Sequence, residues 1–306
     1  MSLILIKLKI KSFNLYLKYK LLIILKMTTY KKIYSGKVRT IYQNEECENI
    51  LLMEATDRLS SYDRNICNIP NKGEILNSIS IWWLNKTKHI CPNHFIQKIN
   101  NNSMEVKKCY PFPIEFVVRC YMTGTTNTSI WINYKNECRL FCGNSLREGY
   151  KKNQILDEII ITPTTKDKND APITPSEIIK NGIMTKNEWE ICKKYAIELF
   201  KFGQQEMKKK GLILVDTKYE FGKDANDNIL LIDEIHTPDS SRYWIENSYK
   251  ERFENNIEPE NIDKDIIRKW IAKNYDPYNA EKIIIPEELI LETSEKYNKL
   301  YKLITK

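Results

Sequence analysis

The sequence predicts an α+β fold with strands joined by tight turns, and three stretches carry that expectation. Residues 212–215 and 229–232 are apolar runs on either side of the polar cluster KDANDN, whose Asp and Asn tolerate the backbone angles of a turn, so 211–232 reads as a β-hairpin. Residues 186–210 place Trp189, Cys192, Ala196, Leu199, Phe200 and Gly203 at helical spacing, with Gly211 in position to end the helix that packs on this hairpin. Residues 263–273 and 286–304 are charged and helical in pattern, a packed extension after the last strand.

With 306 residues, 42% hydrophobic and 29% charged, the chain can bury a sizeable core in one or two domains. Its eight Cys are scattered. Only Cys138 and Cys142 are close, and no His neighbours them, which points to free thiols in a reducing, cytoplasmic setting and away from a zinc site. The net charge of +8 is unevenly held, because residues 1–26 contain six Lys and no acid. The remainder carries 42 basic against 40 acidic residues, too even for a nucleic-acid surface. Residues 1–26 have apolar runs of at most five, too short to span a bilayer, and lack a signal-peptide core. They read as a dispensable leader ending before Met27, with a basic membrane-surface helix as the alternative. Nothing in the pattern fixes an oligomeric state.

From Tyr30 onward, short strands alternate with turns. Ile33, Val38, Ile41 and Tyr42 flank Ser35-Gly36-Lys37, a small turn with a cation at its tip. Gly36 allows close backbone approach, and Lys37 and Arg39 can reach phosphate oxygens, although exposed turns often hold Gly and Lys for no such reason. Residues 50–53 read as a strand, DRLSSYD as a polar loop and Pro70-Asn71-Lys72-Gly73 as a turn. A helix follows with Ile75, Ile79, Trp82 and Trp83 inward, then His89 at its end and His94 in a loop. Residues 114–118 form a strand ending at Arg119, which is either an anion-binding fork or a structural partner of Glu115 or a loop carbonyl. In the long loop ITPTTKDKNDAPITPSEI, Lys166 and Lys168 are either solvated or in touch with a nucleotide.

The hairpin holds the densest chemistry. Alternation puts Asp216, Lys218 and Glu220 on one face and Thr217, Tyr219 and Phe221 on the other, and sends Asp233 and Glu234 opposite ways. Pairing around the turn then brings one carboxylate from each strand to one side with Lys218 between them. Such carboxylates repel unless Lys218 or a bound cation neutralises them. A solvated face with an incidental ion pair is the commoner outcome. Against it, Pro238, Asp239, Ser240, Ser241 and Arg242 crowd polar groups into the next turn, which favours a site.

In order along the chain, YSGKVRTIY, EATDRLSSYD, PNKGEILNSIS, PIEFVVRCYMTG, ITPTTK, DTKYEFG, LIDEIHTPDSSRYW and KNYDPYNAEKIIIPEELI resemble the SAICAR synthetase (phosphoribosylaminoimidazole-succinocarboxamide synthase) family. The resemblance runs from about Tyr30 to the C-terminus. It implies a two-lobed, kinase-like α+β fold with antiparallel sheets and ATP in the cleft. Residues 27–112 would form the nucleotide-binding lobe and 113–306 the substrate lobe, with 250–306 as its helical extension. It further implies an ATP-dependent ligase of de novo purine biosynthesis. Such an enzyme joins L-aspartate to carboxyaminoimidazole ribonucleotide (CAIR), giving SAICAR, ADP and phosphate through an acyl phosphate, with ATP and Mg²⁺ as cofactors. That chemistry asks for positioning and charge neutralisation more than for a nucleophilic side chain.

Carried over, the resemblance assigns the ATP phosphates to Gly36, Lys37 and Arg39, and Mg²⁺ to Glu220 and Asp233. Lys218 and Lys166 would lie near the nucleotide, and Lys37, Lys218, Asp233 and Arg242 would carry catalysis. Arg119, Thr125, Asp239, Ser241 and Arg242 would form the ribonucleotide pocket, with Ser61, Asp63 and Lys72 close by. Three positions depart from the family pattern: Thr125 stands for the usual Ser, Ser61-Tyr62 for Ala-Phe, and His236 for an apolar residue. A small-molecule kinase and an inactive nucleotide-binding protein are the competing readings. The retained Lys37, Glu220, Asp233 and Arg242 weigh against the second.

Overall fold

Two antiparallel sheets organise residues 30–62, 64–166 and 170–306, which the computed structural model describes. Asp63, Lys168 and the leader expected over 1–26 lie outside the described residues. The chain opens with β1 (Tyr30–Ser35), β2 (Arg39–Asn44) and β3 (Ile50–Ala55), then a small hairpin of β4 (Arg58–Ser61) and β5 (Arg64–Asn68). Helix α1 (Lys72–Lys86) leads to β6 (Phe95–Lys98) and β7 (Ser103–Lys107), and the first sheet runs β1-β2-β3-β7-β6. The long strand β8 (Tyr110–Tyr121) begins the second sheet, followed by α2 (Ile130–Lys135), the two-residue strands β9 (Leu140–Phe141) and β10 (Asn144–Ser145), β11 (Ile155–Ile161) and β12 (Thr164–Thr165). Helices α3 (Pro175–Lys180) and α4 (Lys186–Lys208) precede β13 (Leu212–Lys223), β14 (Ile229–Ile232) and β15 (Ser241–Ile245). The second sheet runs β11-β8-β13-β14, with β12 also on β8 and β15 also on β13. Helices α5 (Glu246–Glu254), α6 (Asp265–Asn274) and α7 (Glu287–Thr305) close the chain.

Local sequence explains these elements. Thr185 and Glu188 form a capping box at the start of α4, and Gly211 takes φ +69° after its end. The expected apolar stripe of α4 is buried, extended by Met207. The 211–232 hairpin forms as predicted, with Glu220 opposite Ile232 and Lys223 opposite Ile229. Strand β8 is longer than the 114–118 stretch expected, because Pro111 is accommodated opposite Gly222 where the register shifts. A Cβ on Gly222 would lie 2.8 Å from the Tyr110 carbonyl oxygen, so the close approach of β13 and β8 requires glycine there.

One core joins both sheets with α1, α4 and α7: Trp83, Phe116, Phe200, Tyr219, Phe221, Tyr243 and Tyr297 are all buried in it. His236, which stands where an apolar residue is the usual one, is fully buried among them. Its Nε2 is 2.5 Å from the Tyr219 hydroxyl, and its ring stands edge-on to Trp83 at 4.6 Å. A Cβ on Gly203 of α4 would come within 2.4 Å of the His236 ring, so the glycine makes room for the imidazole.

Burial lowers the His236 pKa from 6.5 to about 3. A folded-state pKa below the unfolded one leaves stability intact above pH 6.5 and removes it as the pH falls from there towards 3. At pH 5 this one group should cost about 2 kcal/mol. In urea unfolding, the stability difference between pH 7 and pH 5 is therefore expected to shrink by about that amount in His236→Gln; an unchanged difference would contradict the buried neutral ring.

Candidate active site

Side chains from both sheets line a cavity of about 750 Å³. The first sheet contributes mainly apolar groups, Ile41, Leu51, Met53 and Val106, while β13, the loop after β14 and the start of α6 contribute charge. Among the described lining residues, eight Lys or Arg are matched by eight Asp or Glu, so the cavity is highly charged yet close to neutral.

At one end lies the turn between β1 and β2. The Gly36 N–H donates to the Arg39 carbonyl at 2.8 Å, and a Cβ on Gly36 would press on the Tyr34 ring at 3.0 Å. Arg58 braces this turn by donating to the Gly36 and Lys37 carbonyls at 3.0 and 3.3 Å. Lys37 is exposed at the cavity's edge, whereas Arg39 points inward and is buried.

Arg39 joins the two sheets. Its Nη1 is 2.8 Å from Asp233 Oδ1 and its Nη2 is 2.9 Å from Glu234 Oε2. This corrects the expectation that Asp233 and Glu234 face opposite ways. Strand β14 ends at Ile232 and Asp233 takes φ +61°, so alternation stops one residue before the pair. Burial, with the nearby charges of Glu220 and Glu234, pushes the Asp233 carboxyl up to about 6 although Arg39 and Lys218 oppose it.

The parity of β13 is as expected: Asp216, Lys218 and Glu220 line the cavity, while Tyr219 and Phe221 enter the core. The partner of Lys218 differs. Its ammonium sits 2.6 Å from Glu115 of β8 and 3.3 Å from Glu220, so the facing carboxylate comes from β8 and not from Asp233. Lys166 also pairs with Glu220. Burial alone would raise the Glu220 pKa, but Lys218 and Lys166 outweigh it and hold the carboxyl at about 2.

At the other end, Arg242 pairs with Asp216 and lines the cavity with Ser241, whose hydroxyl is 2.7 Å from that of Thr217. Ser61 also lines it. Three predicted pocket residues do not. Arg119 stands behind Arg242, 3.4 Å from Asp216 and donating to Thr162 at 2.7 Å, which is the structural role of the two expected, with a different partner. Lys72 has no exposed surface and pairs with Asp239 at 2.7 Å, so it meets the cavity only through that carboxylate. Thr125 is likewise absent from the lining.

Several lining residues escaped the sequence reading, among them His94, Asp263, Lys264 and Arg268. His94 is buried beside Arg39 and Asp233, with its pKa lowered to about 3 chiefly by burial. Asp263 and Lys264 immediately precede α6 and Arg268 lies within it, in a stretch that reads in sequence only as part of a packed helical extension. Burial lowers the Lys264 pKa to about 8, with Asp239 opposing and Arg268 adding to the effect. Only tertiary contact distinguishes these residues from surface charges.

A model of the family described as SAICAR synthetase matches residues 32–283. The chain is 50% identical over 277 residues to a chloroplastic phosphoribosylaminoimidazole-succinocarboxamide synthase of Arabidopsis thaliana, covering 90% of this chain and 67% of that relative. It is 48% identical over 276 residues to the corresponding synthase of Legionella pneumophila (strain Paris), covering 90% and 88%. Among solved structures, the SAICAR synthase of Saccharomyces cerevisiae complexed with SAICAR matches with a TM-score of 0.76 at 28% identity, over 90% of this chain and 95% of that one. A SAICAR synthetase in complex with ADP matches with a TM-score of 0.67 at 26% identity, over 89% and 97%. On the length of the family match and the identity to these relatives, the chain belongs to the SAICAR synthetase family.

Proposed function

We propose that the cavity between the two sheets is where this chain performs its family's reaction. The chain is an ATP-dependent ligase of purine biosynthesis that joins L-aspartate to CAIR, releasing SAICAR, ADP and phosphate. The observation that carries the placement is a single cavity running from the Gly36 turn to the Asp239–Arg242 turn, with Glu220 and Asp233 both in its lining. In this reading residues 27–112 supply most of the nucleotide side and 113–306 the metal and substrate groups. The scattered free cysteines favour a cytoplasmic setting. Among the described residues, no helix is long and apolar enough to cross a membrane.

A carboxylate is a poor acyl donor because its leaving group is an oxide. In the proposed sequence the bond from the γ-phosphorus of ATP to ADP breaks as a bond to the CAIR carboxylate forms, giving an acyl phosphate. The aspartate amine then attacks the acyl carbon, loses a proton and expels phosphate. Gly36, Lys37 and Arg39 meet the ATP phosphates, and the apolar side chains of the first sheet offer the base a dry surface. Lys218 and Lys166 hold Glu220 ionised. Arg242 and Ser241 meet the ribonucleotide, with Arg119 aligning Arg242 through Asp216 and Lys72 aligning Asp239.

ATP and CAIR bring several negative charges into a lining whose cations are already matched by acids, so a divalent cation is the neutraliser this cavity needs. Glu220 and Asp233 fit Mg²⁺: both are carboxylates facing one cavity, and burial with the charges of Glu220 and Glu234 keeps the Asp233 carboxyl raised even beside Arg39 and Lys218. Bound there, Mg²⁺ would offset charge on the phosphates during transfer.

Coupled ADP release is expected to require aspartate and CAIR together. Turnover with an alcohol acceptor alone would replace the ligase with a kinase. Asp233→Asn should lower kcat at least about a hundredfold without altering the fold, and wild-type activity at limiting Mg²⁺ would refute the metal assignment. Arg39→Lys keeps the charge but cannot bridge two carboxylates, so KM for ATP should rise about tenfold; an unaltered KM would remove Arg39 from the nucleotide site.

A further inference from the structure

Helix α7 lies beyond residue 283, where the family match ends, and its pattern reads as packing alone. Its contacts say otherwise. It packs against α1 and α6, with Tyr297, Leu300 and Ile304 fully buried in the main core. Ser294 donates to the Pro70 carbonyl at 2.8 Å, fastening α7 to the turn from which α1 and Lys72 start. One turn further along α7, the Tyr297 hydroxyl donates to Asp239 Oδ1 at 2.7 Å, while Lys72 holds Asp239 Oδ2 at 2.7 Å.

Each oxygen of a cavity-lining carboxylate is therefore held by a different helix. A carboxylate with one donor can swing about its bond to Cβ; with a donor on each oxygen, its plane is fixed. Each oxygen accepts more than one hydrogen bond, so acceptor capacity remains for a substrate hydroxyl or amine. The phenol is suited to this task. Burial, with Asp239 beside it, raises its pKa well above the usual tyrosine value, so it stays a donor throughout the working pH range.

We infer that Tyr297 is a positioning residue for the ligation, orienting Asp239 from beyond the residues that the family model matches and making α7 part of the substrate site. The inference rests on the reading of Asp239 as a group that meets the ribonucleotide.

The test is a mutant cycle in the full-length chain, with kcat/KM for CAIR measured at saturating ATP and aspartate, KM for ATP measured alongside, and thermal unfolding as the fold control. Tyr297→Phe removes the hydroxyl and keeps the ring. It is expected to lower kcat/KM for CAIR about tenfold while moving KM for ATP less than about twofold. In an Asp239→Asn background the same change should add little, because its target is already altered. An undiminished Tyr297→Phe effect in that background, or no effect beside a damaging Asp239→Asn, overturns the inference and leaves the reading of Asp239 intact. A neutral Asp239→Asn overturns that reading and the inference with it. Leu300→Ala loosens the same helix without reaching Asp239 and should lower Tm without a selective change for CAIR. A selective loss there would make α7 mere packing, and this arm decides even where Tyr297→Phe is too unstable to assay.

Discussion

The pairing of Arg39 with Asp233 and Glu234 is the contact on which the site depends. It exists because the chain leaves β14 after four residues and turns left-handed at Asp233, bringing two successive carboxylates to one guanidinium. Had the strand continued, one of the two would have pointed away. The backbone supports the same junction: the His94 N–H donates to the Leu231 carbonyl at 3.1 Å, and the Leu231 N–H donates to the Pro92 carbonyl at 2.9 Å. The first sheet is thereby fixed against the second where Arg39, Asp233 and Glu234 line the cavity. Buried ion pairs of this kind add little net stability, because desolvation offsets much of their attraction, but losing one partner leaves a charge stranded. Their value here lies in geometry.

Charge compensation extends through the cavity in short chains. Glu220 sits between Lys218 and Lys166, Asp216 between Arg242 and Arg119, and Asp239 between Lys72 and Tyr297. In the last two cases a group that lines the cavity is held by one that does not, Arg119 behind Asp216, and Lys72 and Tyr297 behind Asp239. This suits the proposed reaction, in which no side chain forms a covalent bond and the protein holds three charged molecules in register. Helices α1 and α7 each reach the lining carboxylate Asp239 through one side chain, Lys72 and Tyr297.

Much of this was legible in the sequence, and what was not has a physical reason. Alternation correctly put Asp216, Lys218 and Glu220 on the cavity side of β13 because it is a long, regular strand at that point. The same rule failed at Asp233 and Glu234, which lie just past a strand too short to carry it. Of the two carboxylates beside Lys218, alternation shows Glu220 but not Glu115, which lies 103 residues away and is brought near only by sheet pairing. The family resemblance supplied the activity and the identities of Arg119, Lys72 and Thr125, but it cannot separate a residue that touches the cavity from one that stands behind it. His94, Lys264 and Arg268 had no local signal at all, since an isolated histidine and charges at helical spacing are ordinary on a surface. Their burial is a property of the fold.

The central claim is that the bend at Asp233 places that carboxylate with Glu220 at one cation site, between the Gly36 turn and the Asp239–Arg242 turn. The most direct measurement is anomalous diffraction from crystals grown with ADP and Mn²⁺ in place of Mg²⁺. The account predicts an anomalous peak coordinated by Glu220 and Asp233, with the ADP phosphates beside the Gly36 turn. A peak held by other residues, or ADP bound in the cavity with both carboxylates still bonded only to Lys and Arg, would contradict it.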